Sequence, residues 1–457
     1  MARNPHGPVT QDICLADGRA HQAAIRDGHL TRAELTAAQV QRAQAINPEF
    51  RAFSSLVQRD EALQAASAFD VRHGRKLASA LDGLTLSVKG NIPVAGRLWT
   101  EGSRQFGGRT AAQNARAVEK LERAGAIFVG TTTLSELAFY SPDNAFEPLA
   151  LNPWAPARTP GGSTAGGGVA AALGAAVLNL GTDSGGSIRN PACHCGAVGF
   201  KPTLARWSLD GIANYTPTVG ALGMITRSVA DVIAADAILS EAEDAPAAAS
   251  LSFVVPERLI AQKADEPTQR LFAATVDRLR SQGFRIGAFD APYWKAAESA
   301  AGIVSMAEGA AATRDFDETR LAPALAERLR RGLTIPAEQV AAARQAMAAF
   351  QSSLRGIPAG AIILTPTWPF RAPKIYQTMA VVQGRRVPMD PHRNIFVRAA
   401  NAADAPALTM PAGLYPGRIP FGLHLMGAPG RDTELLSAAT AIEAPAGDYP
   451  GRTRHDR

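Results

Sequence analysis

Residues 158–168 read RTPGGSTAGGG and place five glycines around a single serine, Ser163. The run VAAALGAAVLNL follows directly at residues 169–180 and is almost entirely apolar. Glycine adopts backbone conformations that other residues avoid and lets another group approach the main chain, so such a cluster is typical of a specialised loop. The apolar run predicts an Ala-rich helix that leads into a buried strand around residues 177–180. We therefore expect loop, helix and strand in succession here, with some other group lying close to the loop.

The same alternation of helix and strand precedes this stretch. Thr31 and Glu34 have the spacing of a capping box, which predicts that an amphipathic helix begins there. Residues 82–96, DGLTLSVKGNIPVAG, predict a short strand that runs into a loop. A further helix ends at Gly125 and is followed by a buried strand at residues 127–129. Helices that alternate with apolar strands indicate an α/β sandwich.

The length and composition fit one large α/β enzyme. The chain has 457 residues, of which 46% are hydrophobic and only 19% charged, with 41 glycines and 31 prolines. The Pro/Ala-rich residues 241–250 suit either a subdomain boundary or a simple surface connection. We expect a single domain over residues 1–457, made of an N-terminal helical part (1–70), a core (71–240) and a C-terminal part (250–445) with a helical segment near 297–354.

Charge and cysteine content exclude several classes of protein. The net charge of +6 comes from 47 basic and 41 acidic residues scattered along the chain, which argues against a nucleic-acid surface. Three cysteines, Cys14, Cys193 and Cys195, are too few for a disulfide framework and favour a reducing compartment. No signal-like segment or membrane-spanning apolar run is visible. We expect a cytoplasmic protein that binds neither nucleic acid nor a membrane.

A second glycine-rich stretch, LGTDSGGSIRNPACHCGAVGFKPT, occupies residues 180–203. Gly185 and Gly186 directly precede Ser187, so unobstructed N–H groups surround its hydroxyl. Fixed N–H donors of this kind stabilise the negative oxygen of a tetrahedral intermediate, which makes Ser187 a candidate nucleophile. A plain glycine-rich turn explains the pattern equally well.

A serine nucleophile needs a base that removes its proton. His194 lies close in sequence, but Ser187 does not sit in the G-x-S-x-G turn that Ser-His-Asp hydrolases of the α/β type use. Lys89, at the end of an apolar strand, is the better candidate, because burial favours its neutral form. The alternative is a lysine whose amine reaches solvent or pairs with a carboxylate.

Several of these segments together resemble the amidase signature family. The stretches GGSTAGGG at 161–168, LGTDSGGSIRNPA at 180–192 and CGAVGFKPT at 195–203 are similar to its core, and Ser163 and Ser187 stand 24 residues apart, as in the family. The likeness continues in VKGNIPVAG, AVEKLERAGAIFVGTTTLSELAF, ILTPTWPFRAPKI and NAADAPALTMPAG, so it covers nearly the whole chain. It implies a single α/β/α sandwich with a central mixed sheet covered by helices.

The resemblance also implies a Ser–cis-Ser–Lys triad. In that scheme Ser187 attacks the carbonyl carbon, while Ser163 takes its proton and passes it to neutral Lys89. Water then hydrolyses the acyl-enzyme. The peptide bond between Gly162 and Ser163 is cis in the family, and neither a metal nor a cofactor is needed. The implied oxyanion hole consists of the N–H groups of Ser184, Gly185, Gly186 and Ser187.

Further residues around the triad are expected to support it. Asp183 and Arg189 resemble the family's acid and base that flank the nucleophile, and we expect them to form an ion pair that holds the loop. Thr182 offers a hydroxyl beside the oxyanion hole or stabilises the turn. Gly90 stands where the family more often has Asp, so the orientation of Lys89 needs another contact, for which Asn91 is the candidate.

The apolar residues of a substrate pocket are harder to identify. Phe139, Tyr140, Trp368 and Phe370 are candidates for its wall, although each suits the core equally well. The ACHC sequence at residues 192–195 cannot surround a zinc ion tetrahedrally, so we interpret it as a buried turn.

The resemblance does not determine the substrate or the assembly of the protein. The resemblance implies hydrolysis of amides or carbamates, with a preference for an apolar or aromatic part, by a monomer or homodimer. One alternative is the A-type component of a tRNA-dependent amidotransferase, which works with partner subunits. Another is a nucleotide-binding protein that uses the glycine-rich loops, although neither loop fits a phosphate-binding motif.

Overall fold

The computed structural model describes residues 11–74, 76–139, 141, 144, 146–241, 251–390 and 393–443. Two predictions concern residues outside this part: the pocket residue Tyr140 and residues 242–250 of the proposed linker.

A mixed sheet of 11 strands forms the centre of the described part of the chain, and two further strands form a separate small sheet. In chain order, the strands are β1 (Phe53–Leu56), β2 (Thr85–Lys89), β3 (Ile127–Thr132), β4 (Leu178–Asp183), β5 (Val198–Lys201), β6 (Ala221–Thr226), β7 (Ser252–Val255), β8 (Ile286–Ala288), β9 (Ala361–Pro366), β10 (Met379–Val382), β11 (Arg385–Pro388), β12 (Ala407–Tyr415) and β13 (Ile419–Met426).

The order across the large sheet is β1-β3-β2-β4-β6-β5-β12-β13-β9-β7-β8, and β10 pairs with β11. Strand β2 runs parallel to both of its neighbours, β3 and β4. The pairs from β4 through β6, β5, β12 and β13 to β9 are antiparallel, and β7 is parallel to both β9 and β8. The expected mixed sheet is thereby confirmed.

Helices surround this sheet. They are α1 (Gln11–Cys14), α2 (Gly18–Arg26), α3 (Arg32–Phe50), α4 (Arg59–His73), α5 (Arg116–Arg123), α6 (Ala165–Ala172), α7 (Arg189–Cys195), α8 (Val229–Leu239), α9 (Glu257–Lys263), α10 (Glu266–Ser281), α11 (Trp294–Ala312), α12 (Pro323–Leu333), α13 (Ala337–Arg355), α14 (Arg398–Ala402) and α15 (Asp432–Ile442). None of the described helices combines the length and apolar character that crossing a bilayer requires.

Strand β6 shows why both faces of the sheet are covered. Ile225 packs with Ala171 of α6 and Ala192 of α7. Its neighbour Met224 packs in a different cluster, with Val232 of α8. Successive side chains of a strand point to opposite faces, so helices lie on both sides of the sheet. The predicted α/β sandwich is confirmed.

The local predictions agree closely with these elements. The Thr31 hydroxyl accepts a hydrogen bond from the Glu34 N–H, and the Glu34 side chain accepts one from the Thr31 N–H, which completes the capping box of α3. Strand β3 begins at Ile127, as expected. Strand β4 begins at Leu178 and continues to Asp183, three residues beyond the predicted end.

The predicted helical segment near residues 297–354 contains α11, α12 and α13. Leu325 and Leu329 of α12 pack in one cluster with Leu137 and Phe139, which follow β3. This packing places α12 beside the loop that leaves the sheet after β3.

The parallel pairing of β2 with β4 determines where functional side chains meet. Lys89 ends β2, and Asp183 ends β4. Because neighbouring parallel strands have their carboxyl ends at the same edge of a sheet, both residues lie at one edge, where α7 then begins at Arg189.

Candidate active site

Lys89 and Ser163 form a buried hydrogen-bonded pair. The Lys89 Nζ lies 2.8 Å from the Ser163 Oγ, and neither residue is exposed to solvent. An uncharged amine beside a hydroxyl can accept its proton. The structure thus brings together two of the three side chains that the sequence predicts for the triad.

Thr182 holds the amine from the neighbouring strand. The Lys89 Nζ donates to the Thr182 hydroxyl over 2.8 Å, and Asn91 donates to the same hydroxyl over 3.2 Å. Asn91 therefore reaches Lys89 only through Thr182. A Cβ at Gly90 would lie 2.9 Å from a terminal methyl group of Leu134, so a side chain at this position requires the Leu134 side chain to shift.

Burial also sets the charge of this amine. Desolvation lowers the pKa of Lys89 from 10.5 to about 7, and the Asp183 carboxylate opposes this shift only in part. A substantial fraction of the amine is then neutral near pH 7. Lys89 can act as a base at physiological pH, as the sequence argument requires.

Ser187 lies in the loop between β4 and α7 and is half-buried beside a cavity. The Thr164 N–H donates to the Ser187 carbonyl over 3.2 Å, which joins the loops of the two serines. The peptide bond between Gly162 and Ser163 is cis, as the family resemblance implies. Among the described residues no hydrogen bond joins the two serine hydroxyls, so only the Ser163–Lys89 link is formed in this structure. Such contacts commonly tighten when substrate binds.

Two glycines of the first loop lie close to the backbone of neighbouring elements. A Cβ on Gly161 would lie 2.7 Å from the backbone of Pro191, and one on Gly166 would lie 2.1 Å from the Ala52 carbonyl. The loop therefore packs against the start of α7 and the segment before β1.

Asp183 and Arg189 form the predicted ion pair, and both side chains are completely buried. The guanidinium donates to both carboxylate oxygens over 2.9 and 3.1 Å. Although burial alone raises the pKa of Asp183, the Arg189 charge and hydrogen bonds keep it well below its usual range. Asn401 also donates to the carboxylate, over 3.0 Å, which connects the loop of Ser187 to α14. This network of hydrogen bonds holds the loop that carries Ser187 in place.

Two of the four expected oxyanion donors are already engaged. The N–H groups of Gly185 and Gly186 donate to Asp183 Oδ1 over 3.2 and 2.8 Å. A buried carboxylate attracts the donors of its own turn, which the sequence pattern does not reveal. In the part of the chain that the structure describes, the N–H groups of Ser184 and Ser187 have no acceptor.

A cavity of about 100 Å³ opens beside Ser187 and accommodates a small molecule. Phe139 and Trp368 line it, as predicted. Phe370 does not line it; instead it packs with Trp368 and Met389 and borders a separate surface depression.

His194 borders the cavity without acting as a triad member. Residues 192–195 belong to helix α7 rather than to the predicted turn, because the helix that begins at Arg189 continues through them. The imidazole packs edge-on against Trp368, with ring centres 5.0 Å apart, and burial lowers the pKa of His194 to about 3. Within the described residues, both ring nitrogens and the Trp368 Nε1 lack a hydrogen-bond partner. No cluster of three metal-binding side chains occurs in that same part of the chain.

Sequence reasoning missed the arginines of the cavity wall, Arg328, Arg393 and Arg398. Arg328 is one of several arginines on α12, so nothing in the local pattern distinguishes it. Arg398 follows the fully buried Phe396 and Val397, and a charged residue after such an apolar run was the signal available.

Comparison with known proteins agrees with the resemblance to the amidase signature family. Residues 34–436 match the family model described as Amidase. The A-type component of a glutamyl-tRNA(Gln) amidotransferase from Anaeromyxobacter sp. (strain K) is 29% identical to this chain over 95% of it and 96% of that protein. A 2-amino-5-chloromuconic acid deaminase from Comamonas testosteroni is 32% identical over 93% of this chain and 95% of that one. A crystal structure of an amidase superimposes with a TM-score of 0.85 and 26% identity, over 93% of this chain and 98% of the other.

Proposed function

The chain belongs to the amidase family, and from that premise we propose that it hydrolyses the C–N bond of small amides with Ser187 as nucleophile. The observation that carries this proposal is the 2.8 Å contact between Ser163 and a buried lysine whose pKa is about 7. Carbamates present the same carbonyl carbon and belong to the proposed substrate range. A metal or a cofactor has no part in the scheme.

In the first half of the reaction, the Ser187 Oγ attacks the carbonyl carbon and loses its proton to Ser163. Ser163 passes its own proton to the neutral amine of Lys89, which lies within hydrogen-bond distance. The tetrahedral intermediate then collapses, and the C–N bond breaks. The proton returns through the same relay to the leaving nitrogen, so that an ester on Ser187 and a free amine or ammonia result.

In the second half, water attacks the ester carbonyl and gives its proton to the relay. Collapse of this second intermediate releases the acid and restores the Ser187 hydroxyl. Because one difficult displacement is divided into two easier ones, the same three side chains serve both halves.

The negative oxygen of each intermediate needs fixed donors. We place it next to the N–H groups of Ser184 and Ser187, which have no acceptor among the described residues. Gly185 and Gly186 contribute indirectly: their N–H groups bind Asp183 and thereby hold the turn. Thr182 keeps the amine of Lys89 directed at Ser163.

The test uses the purified chain alone. We expect it to release ammonia or amine from at least one member of a panel of a short aliphatic amide, phenylacetamide, acetanilide, a long-chain amide and an aryl carbamate. A fluorophosphonate reagent should label Ser187 covalently. Ser187→Ala should abolish both turnover and labelling, whereas Ser281→Ala, which changes an exposed serine of α10, should leave both intact. Labelling that persists in Ser187→Ala would place the nucleophile elsewhere and refute the proposal.

A second candidate function comes from the relative that belongs to a glutamyl-tRNA(Gln) amidotransferase, which matches this chain over nearly its full length. In that case the chain would need partner subunits for activity. Turnover by the isolated chain argues against this candidate. Labelling of Ser187 without turnover of any amide in the panel, together with activity that appears only with added partner subunits, would favour it.

A further inference from the structure

We propose that the substrate of this site carries a carboxylate group and that Arg328 binds it. The inference deepens the proposed function and rests on it, because it names the substrate class of the same cavity. The observation behind it is an arginine in the cavity wall that has no carboxylate partner in the described chain.

The charged side chains in the described cavity wall are all basic. Arg328, Arg393 and Arg398 all border the cavity, whereas none of the described residues that line it is an aspartate or a glutamate. A small cavity with several cations and no anion in its wall favours an anionic ligand.

Two of the three arginines have ion-pair partners outside the wall. Arg398 binds Glu298 over 2.7 Å, and Arg393 binds Asp390 over 2.9 Å. Arg328 differs, since it makes neither an ion pair nor a hydrogen bond with any residue that the structure describes. One positive charge is therefore left for a ligand.

The position of Arg328 is held by packing rather than by polar contacts. Leu325 and Leu329, on the same helix, belong to the cluster that contains Phe139. The guanidinium carbon of Arg328 lies 5.5 Å from the centre of the Phe139 ring, a cation–π distance. The guanidinium is thus held at the wall with its hydrogen-bond donors available.

The unpaired guanidinium of Arg328 is energetically unfavourable unless an anion binds to it. Desolvation, together with the neighbouring charges of Arg393 and Arg398, lowers the pKa of Arg328 to about 10, and the Asp390 carboxylate, which pairs with Arg393, opposes this shift only in part, so the group keeps its charge at neutral pH. A half-buried charge without a partner destabilises a protein, and a bound anion would relieve that cost. The planar donor fork of arginine matches the two oxygens of a carboxylate.

The charge balance favours a carboxylate over a phosphate. Only one of the three guanidinium groups lacks an acidic partner, which matches one negative charge, whereas a phosphate monoester carries close to two. The substrate class is therefore an amide that carries one carboxylate.

The first experiment measures binding and needs no turnover. Titration calorimetry compares succinate, glutarate, adipate and inorganic phosphate on the wild type, on Arg328→Gln and on Arg331→Gln. Arg331 is the matched control, because it lies on the same helix, is exposed and does not line the cavity. We expect at least one dicarboxylate to bind the wild type and Arg331→Gln equally well and to bind Arg328→Gln about tenfold to hundredfold more weakly.

The second experiment measures selectivity. It compares kcat/KM for succinamate, glutaramate and adipamate with kcat/KM for butyramide, pentanamide and hexanamide, which lack the charge. We expect the wild type to prefer an acidic member, and we expect the ratio of kcat/KM for the acidic amide to kcat/KM for the neutral amide to fall in Arg328→Gln. Arg328→Lys, which keeps the charge without the fork, should recover part of the preference.

The outcomes separate this inference from the proposed function. Turnover of neutral amides without any preference for acidic ones overturns the carboxylate site and leaves the hydrolase intact. Dicarboxylate binding that depends on Arg328, with no turnover of any amide, supports the site and contradicts the hydrolase. Equal binding of dicarboxylates to the wild type and Arg328→Gln, or binding of phosphate in preference to all dicarboxylates, overturns the inference.

Discussion

The two sides of the cavity differ in how completely their charged side chains form ion pairs. The floor, which we define as the residues at the carboxyl ends of β2 and β4 and in the loops around Ser163 and Ser187, pairs Asp183 with Arg189 completely. The cover, which we define as helices α11 to α13 and the described residues 393–398, leaves Arg328 without an acidic partner. The buried ion pair of the floor is complete without a ligand, whereas Arg328 of the cover has no ion-pair partner among the described residues.

This difference indicates that the floor and the cover have different functions. A relay that moves protons needs side chains held in one geometry, and the buried network of Lys89, Thr182 and Ser163 provides it. A wall that selects a substrate needs a group whose requirements are met only when the substrate is bound. We expect changes in the floor to affect all substrates alike and changes in the cover to affect them selectively.

The largest expected effect tests the floor. Lys89→Met removes the amine but keeps a long apolar side chain in a fully buried position, so the fold should remain. We expect kcat/KM to fall at least about a thousandfold, equally for acidic and neutral amides, because the relay loses its base. Steady-state kinetics on both substrate types measures this.

Lys201→Met serves as the control, because Lys201 is a second buried lysine whose amine donates to the Pro202 carbonyl and not to Ser163. Its kcat/KM per folded molecule should stay close to that of the wild type. A loss for Lys89→Met that is confined to acidic amides would contradict the division between floor and cover.

A second prediction compares the stability of the two sides. Asp183→Asn leaves the buried Arg189 without its countercharge, and we expect about 3–5 kcal/mol less free energy of unfolding. Glu327→Gln breaks the ion pairs of Glu327 with Arg330 and Arg331 on α12, in which all three side chains are at least half exposed, and should cost at most about 1 kcal/mol. Urea denaturation at neutral pH measures both. Equal losses would show that the floor is no more tightly constructed than the cover.

The smallest expected effect concerns pH. Protonated Lys89 cannot accept a proton, so activity requires the neutral form, and its pKa is about 7. We expect kcat/KM on a neutral amide to rise about tenfold per pH unit below pH 7 and to level off above it. The profile of Arg328→Gln on the same amide should coincide with that of the wild type, since the guanidinium stays charged in this range. Activity that falls between pH 6 and 9 in the folded enzyme would exclude Lys89 as the base.

Much of the fold could be predicted because its signals are local. The capping box of α3, the start of β3 at Ile127 and the helices of residues 297–354 all follow from spacing within a few turns of chain. The turn predicted at residues 192–195 was wrong, since the helix from Arg189 continues through them. Short segments of this kind are decided by what packs on them.

The candidate site, like the fold, could be predicted from the sequence only in part. The serines and the lysine stand in recognisable patterns, because the chemistry demands particular residue types at particular spacings. The engagement of the Gly185 and Gly186 N–H groups by Asp183 was not visible, since it depends on how the turn closes. Arg328 was missed for a related reason: its role comes from the packing of α12 against Phe139, which lies far away in the chain.

The amino-acid sequence by itself determined the α/β alternation, the family and the three side chains proposed for the relay, since each is written in short stretches of residues. Only the tertiary structure decided that Thr182 directs Lys89, that the Asp183 carboxylate takes two of the expected donors, and that one arginine of the cavity wall stays unpaired among the described residues. The physical reason is that a charge or a hydrogen-bond donor is satisfied by whatever the fold brings within about 3 Å of it, and residues distant in sequence supply those partners.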